Sequence, residues 1–310
     1  MADVSLPWTV PVIQAPIGPA ATPELAAAVS EAGGLGSLGA SWTEPAVLRG
    51  QIRAIRRLTD RPFFVNLVLA FDQEERLELV CEEGVPIVSF SWGVAPRLVE
   101  RAHASGCLVM AQAGSVAEGR AAVAAGADVL IAQGVEAGGH VQGRTPLLDL
   151  VAGLRGGVPV VAAGGIADAD GLHRARAAGA AGVVMGTRFL VTPEADVHAE
   201  YAGRILAAGP DDTVLTELFD GGWPDAPHRV LRNSTYRAWE EAGRPASGAR
   251  SNEGEVVAET DGEPIARYAA DEPHRSTTGE IEAMCLYAGR GVGRITKVEP
   301  AAEIVARMVS

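Results

Sequence analysis

The chain has 310 residues, of which 47% are hydrophobic, so it can bury a large core and is not an intrinsically disordered protein. Its formal net charge of -13 and its pI near 5.0 argue against nucleic acids and anionic membrane surfaces, since both would repel it. The expected partners are therefore small molecules.

The N-terminal residues MADVSLPWTVPVIQAP have no basic region followed by an apolar one. No stretch of the chain approaches the ~20 apolar residues that a membrane span needs. We therefore expect a soluble, cytoplasmic protein. The cysteines Cys81, Cys107 and Cys285 have no CxxC spacing, which favours reduced thiols in the core over disulfides or a zinc site.

The first 190 residues alternate short β-rich segments with alanine-rich helical ones, a pattern typical of parallel strands joined by crossover helices. Helices are expected to begin at the N-caps Thr22, Ser115 and Asp168. Eight such steps predict a closed (β/α)8 TIM barrel. The predicted strands are VIQA (12–15), GLGSLG (34–39), PFFVNL (62–67), PIVSF (86–90), CLVMAQ (107–112), DVLIAQ (128–133), PVVAAGG (159–165) and GVVMG (182–186).

The second predicted strand, GLGSLG, also matches the dinucleotide-binding pattern GxGxxG. A dinucleotide fingerprint follows a strand and opens a helix, whereas this stretch follows a predicted helix and is itself a strand. We therefore interpret it as part of the barrel.

The pattern changes after Leu190. VTPEADVHAEYAGRILAAG (191–209) predicts a helix, and nine acidic side chains against two arginines between residues 251 and 282 predict a solvated surface. The final segment PAAEIVARMVS predicts an amphipathic helix that returns to the barrel. We expect a barrel over 1–190, an inserted lid or substrate domain over 191–288, and a C-terminal helix over 289–310.

Active sites of TIM barrels lie at the carboxyl ends of the strands. AAGGIAD places Gly164 and Gly165 after the seventh strand, and VMGTRF places Gly186 and Thr187 after the eighth. Glycine corners in front of helix N-termini bind anions, although either pair alone can simply turn the chain. Both corners together predict a phosphorylated ligand.

Neutral amide side chains, Asn66, Gln112 and Gln133, stand at three other predicted strand ends. Amides donate and accept hydrogen bonds, which suits the ring and the hydroxyl groups of a flavin. Each of them can alternatively hold a loop in place.

Several segments occur here in the order in which they occur in one known family. With APIGPAATPELAAAVSEAGGLGSLGA, VNL, AQGVEAGGH, AAGGI, VMGTRF, LRNSTYRAW and LYAGRGVG, the chain resembles the nitronate monooxygenases, formerly called 2-nitropropane dioxygenases. The resemblance covers nearly the whole chain. It implies a TIM barrel that binds FMN non-covalently and uses O2 to oxidise alkyl nitronates, in some members also nitroalkanes, to carbonyl compounds and nitrite.

The resemblance also implies site residues. His140 takes the place of the catalytic histidine. Gln112 matches a strand-end position where many relatives have lysine or another residue, and Gly139 and Gly164 complete the two glycine pairs. The other residues implied to contact FMN are Ala15, Pro16, Ile17, Asn66, Gln133, Gly138, Gly165, Val184, Met185, Gly186 and Thr187.

The loop QGVEAGGH (133–140) gives the histidine a physical role. Gly138 and Gly139 lack Cβ atoms, so the backbone can approach a flat cofactor and take φ values closed to other residues. An imidazole with a pKa near ~6.5 can accept a proton from the carbon next to a nitro group, or hold nitronate oxygens as a cation. Trp92, just past a strand end, is the tryptophan expected near the flavin.

Two alternatives stay open. An FMN-dependent NAD(P)H reductase, of the enoyl-acyl carrier protein or quinone reductase type, has the same barrel motifs. A non-catalytic barrel that senses FMN or a phosphorylated metabolite is the other. The remaining histidines lack HxxxH or HxH spacing, so no metal is expected. Substrate identity depends on residues 191–288, and a homodimer stays open as the oligomeric state.

Overall fold

The computed structural model describes residues 6–309, so Met1 to Ser5 and Ser310, at the outer ends of the predicted barrel and C-terminal helix, lie outside the described residues. The strands within 6–309 are β1 (Val12–Gln14), β2 (Gly36–Gly39), β3 (Phe63–Val68), β4 (Ile87–Ser91), β5 (Leu108–Ala113), β6 (Val129–Gln133), β7 (Gly139–His140), β8 (Val160–Ala163), β9 (Gly182–Met185), β10 (Thr213–Thr216), β11 (His228–Leu231), β12 (Val256–Thr260), β13 (Glu263–Ala266) and β14 (Thr278–Gly279). The α-helices are α1 (Pro23–Glu31), α2 (Pro45–Leu58), α3 (Glu74–Glu82), α4 (Pro96–Ala104), α5 (Val116–Ala124), α6 (Leu147–Leu154), α7 (Ala169–Ala178), α8 (Thr187–Leu190), α9 (Ala199–Ala207), α10 (Ser234–Glu241) and α11 (Ala301–Arg307). Short 3-10 turns cover Gly18–Ala20, Pro210–Asp212, Ile281–Ala283 and Arg290–Arg294.

Eight strands form one parallel sheet in the order β1-β9-β8-β6-β5-β4-β3-β2. The sheet closes on itself because the N–H of Gln14 donates to the carbonyl of Leu35 at 2.9 Å, and the N–H of Leu35 donates to that of Val12 at 3.0 Å. All eight predicted strands are present, and their bounds agree with the predicted ones to within about two residues, as expected for pattern-based boundaries. The predicted (β/α)8 barrel is therefore confirmed.

The barrel strands are buried on both faces. Along β3 every residue from Phe63 to Val68 is buried, which explains why these strands appear in the sequence as apolar runs without alternation. One face fills the barrel interior, and the other packs under the helices. The interior cluster consists of Ile13, Leu35, Phe64, Ile87, Met110, Val129, Ile131, Val161, Ala163 and Val184.

Three helix starts are capped by the predicted side chains. The oxygens of Thr22, Ser115 and Asp168 accept hydrogen bonds, at 3.0, 3.2 and 2.9 Å, from backbone N–H groups three residues further on. The GLGSLG segment is a barrel strand, as expected, and a Cβ on Gly36 would overlap the backbone of Ala26 in α1. Glycine there lets helix and strand pack closely, which is its role instead of nucleotide binding.

The helix predicted over 191–209 is only partly correct, because α9 begins at Ala199. Before it, the hydroxyl of Thr192 donates to the carbonyl of Phe189 at 2.9 Å and accepts from the N–H of Ala195 at 3.2 Å. This side-chain turn competes with helix formation, and the helix starts only where His198 caps it.

The residues after β9 add two small antiparallel sheets, β10-β11-β7 and β13-β12-β14. The first includes β7, which comes from the barrel loop after β6, so it joins the later part of the chain to the barrel mouth. Helix α11 packs on α1 and buries Ile304, Val305 and Met308. The domain bounds at 190 and 288 stay a proposal. Within residues 6–309, no helix has both the length and the apolar character to cross a membrane.

Candidate active site

The loop between β6 and β7 is held by side chains on both sides. Gln133 Nε2 donates to the carbonyl of His140 at 3.0 Å, and the N–H of Gln142 donates to Gln133 Oε1 at 2.8 Å. The carboxylate of Glu136 accepts from the N–H of Leu147 at 3.0 Å, so the same loop caps α6. Gln133 thus fixes the position of His140 relative to the barrel.

The two glycines of this loop are required for different reasons. A Cβ on Gly138 would overlap the backbone of Ala288 and Gly289, so glycine lets two chain segments meet. Gly139 has a φ of +73° with open space around its Cβ position, so its glycine serves the backbone conformation. The approach of this backbone to a flat cofactor stays a proposal beside these roles.

His140 lies on β7, and its cross-strand partner on β11 is His228. The pairing brings the imidazole into an aromatic group at the barrel mouth. From the His140 ring centroid, the centroids of Trp223, His228, Tyr287 and Trp92 lie at 4.3, 5.4, 5.7 and 6.2 Å. The imidazole is therefore shielded from water by other rings.

Both histidines of this pair are neutral at pH 7. His228 Nε2 accepts from the N–H of Phe219 at 3.2 Å, so the ring proton sits on Nδ1, 3.0 Å from the carbonyl of Ala226. Burial lowers the pKa of His228. Burial lowers the pKa of His140 to about 3, and the neighbouring His228 adds a smaller lowering effect. The backbone of Ala226 acts in the opposite direction and raises this pKa. Of the two predicted roles for His140, the neutral base fits this environment better than the cation.

One nitrogen of His140 is left without a protein partner. Nε2 lies 3.3 Å from the hydroxyl of Tyr287, which donates to the carbonyl of Ala270 at 2.9 Å. Nδ1 is buried and has no hydrogen-bond partner within the described residues. A buried polar atom without a partner is uncommon in a folded protein. Nδ1 is thus the atom at which a ligand can be bound or a proton taken.

Asn66 lies in the barrel wall on β3. Its Oδ1 accepts from the hydroxyl of Ser89 at 3.0 Å, and its Nδ2 lies 3.4 Å from the hydroxyl of Ser91, both on β4. This network orients the amide at the carboxyl end of the strands.

Gln112 and Gln133 both bond to Gln142, the first through its side chain and the second through its backbone N–H. Gln112 Nε2 donates to Gln142 Oε1 at 3.2 Å, and the same oxygen accepts from the N–H of Trp92 at 3.0 Å. The φ of Trp92 is +59°, a conformation uncommon for a bulky residue. Gln142 therefore connects three predicted residues to the loop that bears His140.

The two glycine corners lie side by side, because Ala163 of β8 pairs with Val184 of β9. Gly164 and Gly165 have φ values of +131° and +65°, which explains the choice of glycine there. The N–H groups of Gly165 and Gly186 have no acceptor among residues 6–309. The side chain of Val184 points into the barrel interior.

The segment 289–291 lies over both corners. The N–H of Gly289 donates to the hydroxyl of Thr187 at 3.0 Å, and a Cβ on Gly291 would stand 2.8 Å from the carbonyl oxygen of Gly165. The Thr187 hydroxyl keeps its own hydrogen for another acceptor. Two unpaired N–H groups and this hydroxyl form a donor set that fits a phosphate.

The end of β1 completes this edge of the barrel. A Cβ on Gly186 would lie 3.4 Å from Ala15 Cβ and 3.2 Å from Ile17 Cγ2. The N–H of Ala15 donates to the carbonyl of Met185 at 2.8 Å, whereas the Met185 side chain packs between the strands and the helices. Pro16, between Ala15 and Ile17, belongs to the same corner.

Four residues at the site escaped the sequence-based prediction: Gln142, Trp223, His228 and Tyr287. Tyr287 stands in LYAGRGVG, one of the segments that carried the resemblance, so a signal was available for it. His228 begins the segment HRVL, whose valine and leucine indicate at most a short strand and say nothing about its partner. Trp223 has no local signal, because its position depends on how the later sheets fold back onto the barrel.

Similarity to known proteins identifies the family of this chain. The model of the nitronate monooxygenase family matches residues 5–75 and 70–310. The chain belongs to the nitronate monooxygenase family. It is therefore an enzyme of an oxidoreductase family, as the resemblance implied.

Relatives of this nitronate monooxygenase family member carry two kinds of name. The (3aS,4S,5R,7aS)-5-hydroxy-7a-methyl-1-oxo-octahydro-1H-indene-4-carboxyl-CoA dehydrogenase of Mycobacterium tuberculosis is 39% identical over 241 residues, 76% of this chain and 66% of the relative. The chain thus matches slightly less than two thirds of that relative's length. The nitronate monooxygenase of Pseudomonas aeruginosa is 36% identical over 262 residues, 68% of this chain and 74% of the relative.

Solved structures that superpose on this chain also carry two kinds of name. FabK from Thermotoga maritima superposes with a TM-score of 0.80 at 32% identity, over 97% of this chain and 92% of that one. Nitroalkane oxidase from Streptomyces ansochromogenes gives 0.78 at 30% identity, over 98% and 95%. The family is thus established, and the substrate is a separate question.

Proposed function

We propose that this member of the nitronate monooxygenase family binds FMN at the carboxyl ends of the barrel strands. It uses O2 to oxidise nitroalkanes and alkyl nitronates to carbonyl compounds and nitrite. The observation that carries this proposal is the neutral imidazole of His140, whose buried Nδ1 has no protein partner among residues 6–309, beside two glycine corners that fit a phosphate.

The donors at the corners suit the phosphate of FMN. The N–H groups of Gly165 and Gly186 and the hydroxyl of Thr187 would hold it. When bound, FMN supplies the redox chemistry, and the protein supplies binding, orientation and protection from water.

His140 supplies the proton chemistry. A neutral imidazole can take a proton from the carbon next to a nitro group, whereas a pre-formed nitronate has already lost that proton. The Gln133 amide holds the backbone of His140, the Tyr287 hydroxyl lies beside the imidazole Nε2, and the surrounding rings shield the imidazole from water. Exclusion of water strengthens the electrostatic interactions within such a site.

His140→Asn tests this assignment with a matched pair of substrates. We expect FMN to stay bound, turnover of neutral nitroethane to fall by about 10² to 10⁴, and turnover of ethyl nitronate to fall much less. The exposed His173→Asn serves as the control and should leave both rates unchanged. Nitroethane turnover equal to that of the unsubstituted protein would refute the role of His140 as base.

A second candidate is the dehydrogenation of an acyl-CoA thioester. It is favoured by the 39% identity to a carboxyl-CoA dehydrogenase, and it also begins with removal of a proton beside an electron-withdrawing group. Anaerobic bleaching of the flavin distinguishes the candidates. Bleaching by propyl nitronate supports the first, bleaching by an acyl-CoA alone supports the second, and rapid bleaching by NADH or NADPH supports the reductase alternative.

A further inference from the structure

Trp223 covers the imidazole that the proposed reaction uses. Its ring lies 4.3 Å from that of His140, centroid to centroid, with the planes inclined by 36°. It also contacts Trp92, Phe71 and Trp42, at 4.8, 5.3 and 5.8 Å. Those three rings follow β4, β3 and β2, so one side chain of the later chain segment joins three barrel loops to the candidate base.

The contacts of Trp223 are apolar. Its indole N–H donates to no acceptor among residues 6–309, and the residue is only half-buried, unlike a core tryptophan. Ring contacts of this kind are weakly directional, so they hold the indole without fixing it as a hydrogen bond would.

The backbone that carries Trp223 can hinge. Gly222 has a φ of +90° with no atom within 4 Å of its Cβ position, and Asp225 has a φ of +58°. Both ends are anchored: the carboxylate of Asp220 accepts from Arg250 at 2.9 Å, and the carbonyl of Ala226 lies 3.0 Å from His228 Nδ1. A short segment with a glycine beside one anchor can move the indole while the surrounding sheet stays in place.

In the structure, Trp223 stacks over the ring of His140 at the barrel mouth. One imidazole nitrogen faces Tyr287, and the other is buried without a partner. A substrate that meets the imidazole on this face requires the indole to move. The space that it leaves is lined by the rings of Trp42, Phe71 and Trp92, which suit an apolar substrate body.

We propose that Trp223 is a gate that determines substrate specificity: it opens about Gly222 to expose His140 and admits substrates with an apolar body beside the activated carbon. This proposal rests on the proposed function for the role of His140, but the movement itself is independent of which substrate is used. The shielding by the indole also contributes to the desolvation of the imidazole.

The accessibility of His140 tests the gate without any substrate. The FMN-bound protein is treated with diethyl pyrocarbonate, and carbethoxylation of the His140 peptide is followed by mass spectrometry. We expect Trp223→Ala to raise the rate of His140 modification about tenfold, because the ring that covers the imidazole is lost. The control Trp239→Ala changes a tryptophan that packs on Tyr236 and Arg244, and it should leave the rate unchanged.

Two further measurements keep the test decisive. Trp223→Leu retains apolar volume and serves if Trp223→Ala does not fold; it should raise the rate by a smaller factor. The pH dependence of modification should shift upward in both Trp223 variants, because water reaches the imidazole. Modification rates and pH profiles equal to those of the unsubstituted protein would overturn the gate.

Turnover separates failure of the gate from failure of the proposed function. If nitroalkanes and nitronates are substrates, Trp223→Ala should raise kcat/KM for nitrocyclohexane relative to nitroethane by about tenfold. An unchanged ratio together with an unchanged modification rate refutes the gate and leaves the proposed function intact. Absence of turnover with faster His140 modification refutes the proposed function and supports the gate.

Discussion

The depressed pKa of His140 makes the stability of the protein depend on pH in a way that one substitution removes. Burial lowers this pKa from an ordinary 6.5 to about 3, so the folded state keeps the imidazole neutral where the unfolded chain would protonate it. Between these two values the unfolded state binds more protons. The contribution of His140 to the free energy of unfolding is therefore fully present above pH 6.5 and is lost as the pH falls toward 3.

The size of the effect follows from the pKa difference. One pKa unit corresponds to about 1.36 kcal/mol. The depressed pKa of His140 should therefore lower the free energy of unfolding by about 2 kcal/mol when the pH falls from 7.5 to 5. His140→Gln cannot titrate, so the free energy of unfolding of this variant should fall by about 2 kcal/mol less than that of the unsubstituted protein over the same interval. The contribution of His228, whose pKa is also lowered by burial, is present in both proteins and cancels to first order.

The assay is urea denaturation at both pH values, followed by circular dichroism, with linear extrapolation to water. His173→Gln, at an exposed position on α7, is the matched control and should follow the unsubstituted protein. If His140→Gln and the control lose the same free energy on acidification, the imidazole is not desolvated in the native state, and its pKa is not depressed.

Three further predictions concern the framework of the site. Glu299→Gln should reduce the free energy of unfolding by about 3 kcal/mol in urea titrations. The Arg188 side chain is 5% exposed and lies 2.6 Å from the Glu299 carboxylate, so the substitution leaves an uncompensated buried charge. A loss below about 1 kcal/mol would contradict this. Gly138→Ala should lower Tm more than Gly139→Ala does. The first substitution creates an overlap with the backbone, whereas the second costs about 1 kcal/mol of conformational strain. The reverse order in calorimetry would show that residues 288–289 do not approach Gly138 closely. Thr187→Val should weaken FMN binding about tenfold in fluorescence titrations, as expected for loss of one hydrogen bond to a charged group, while Thr187→Ser retains it; equal affinities would remove Thr187 from the phosphate site.

Much of the candidate site was accessible from the sequence because its determinants are local. The glycine corners, the amides at the strand ends and the GGH loop each lie within a few residues of a recognisable strand. The roles of the amides were less accessible, since Gln112 and Gln133 both act through Gln142, a residue without any distinguishing pattern.

The sequence by itself determined the barrel. Continuous apolar runs, N-caps such as Thr22 and glycines at helix ends are encoded within short stretches, and their order predicts eight strands and their crossover helices. Only the tertiary structure decided the environment of His140. Tyr287, 147 residues away in the sequence, and Trp223, on the loop between β10 and β11, reach the imidazole through long-range pairing. Desolvation depends on which side chains are packed around a group in space, so neither the neutral state of His140 nor its cover by Trp223 can be read from the residues beside it.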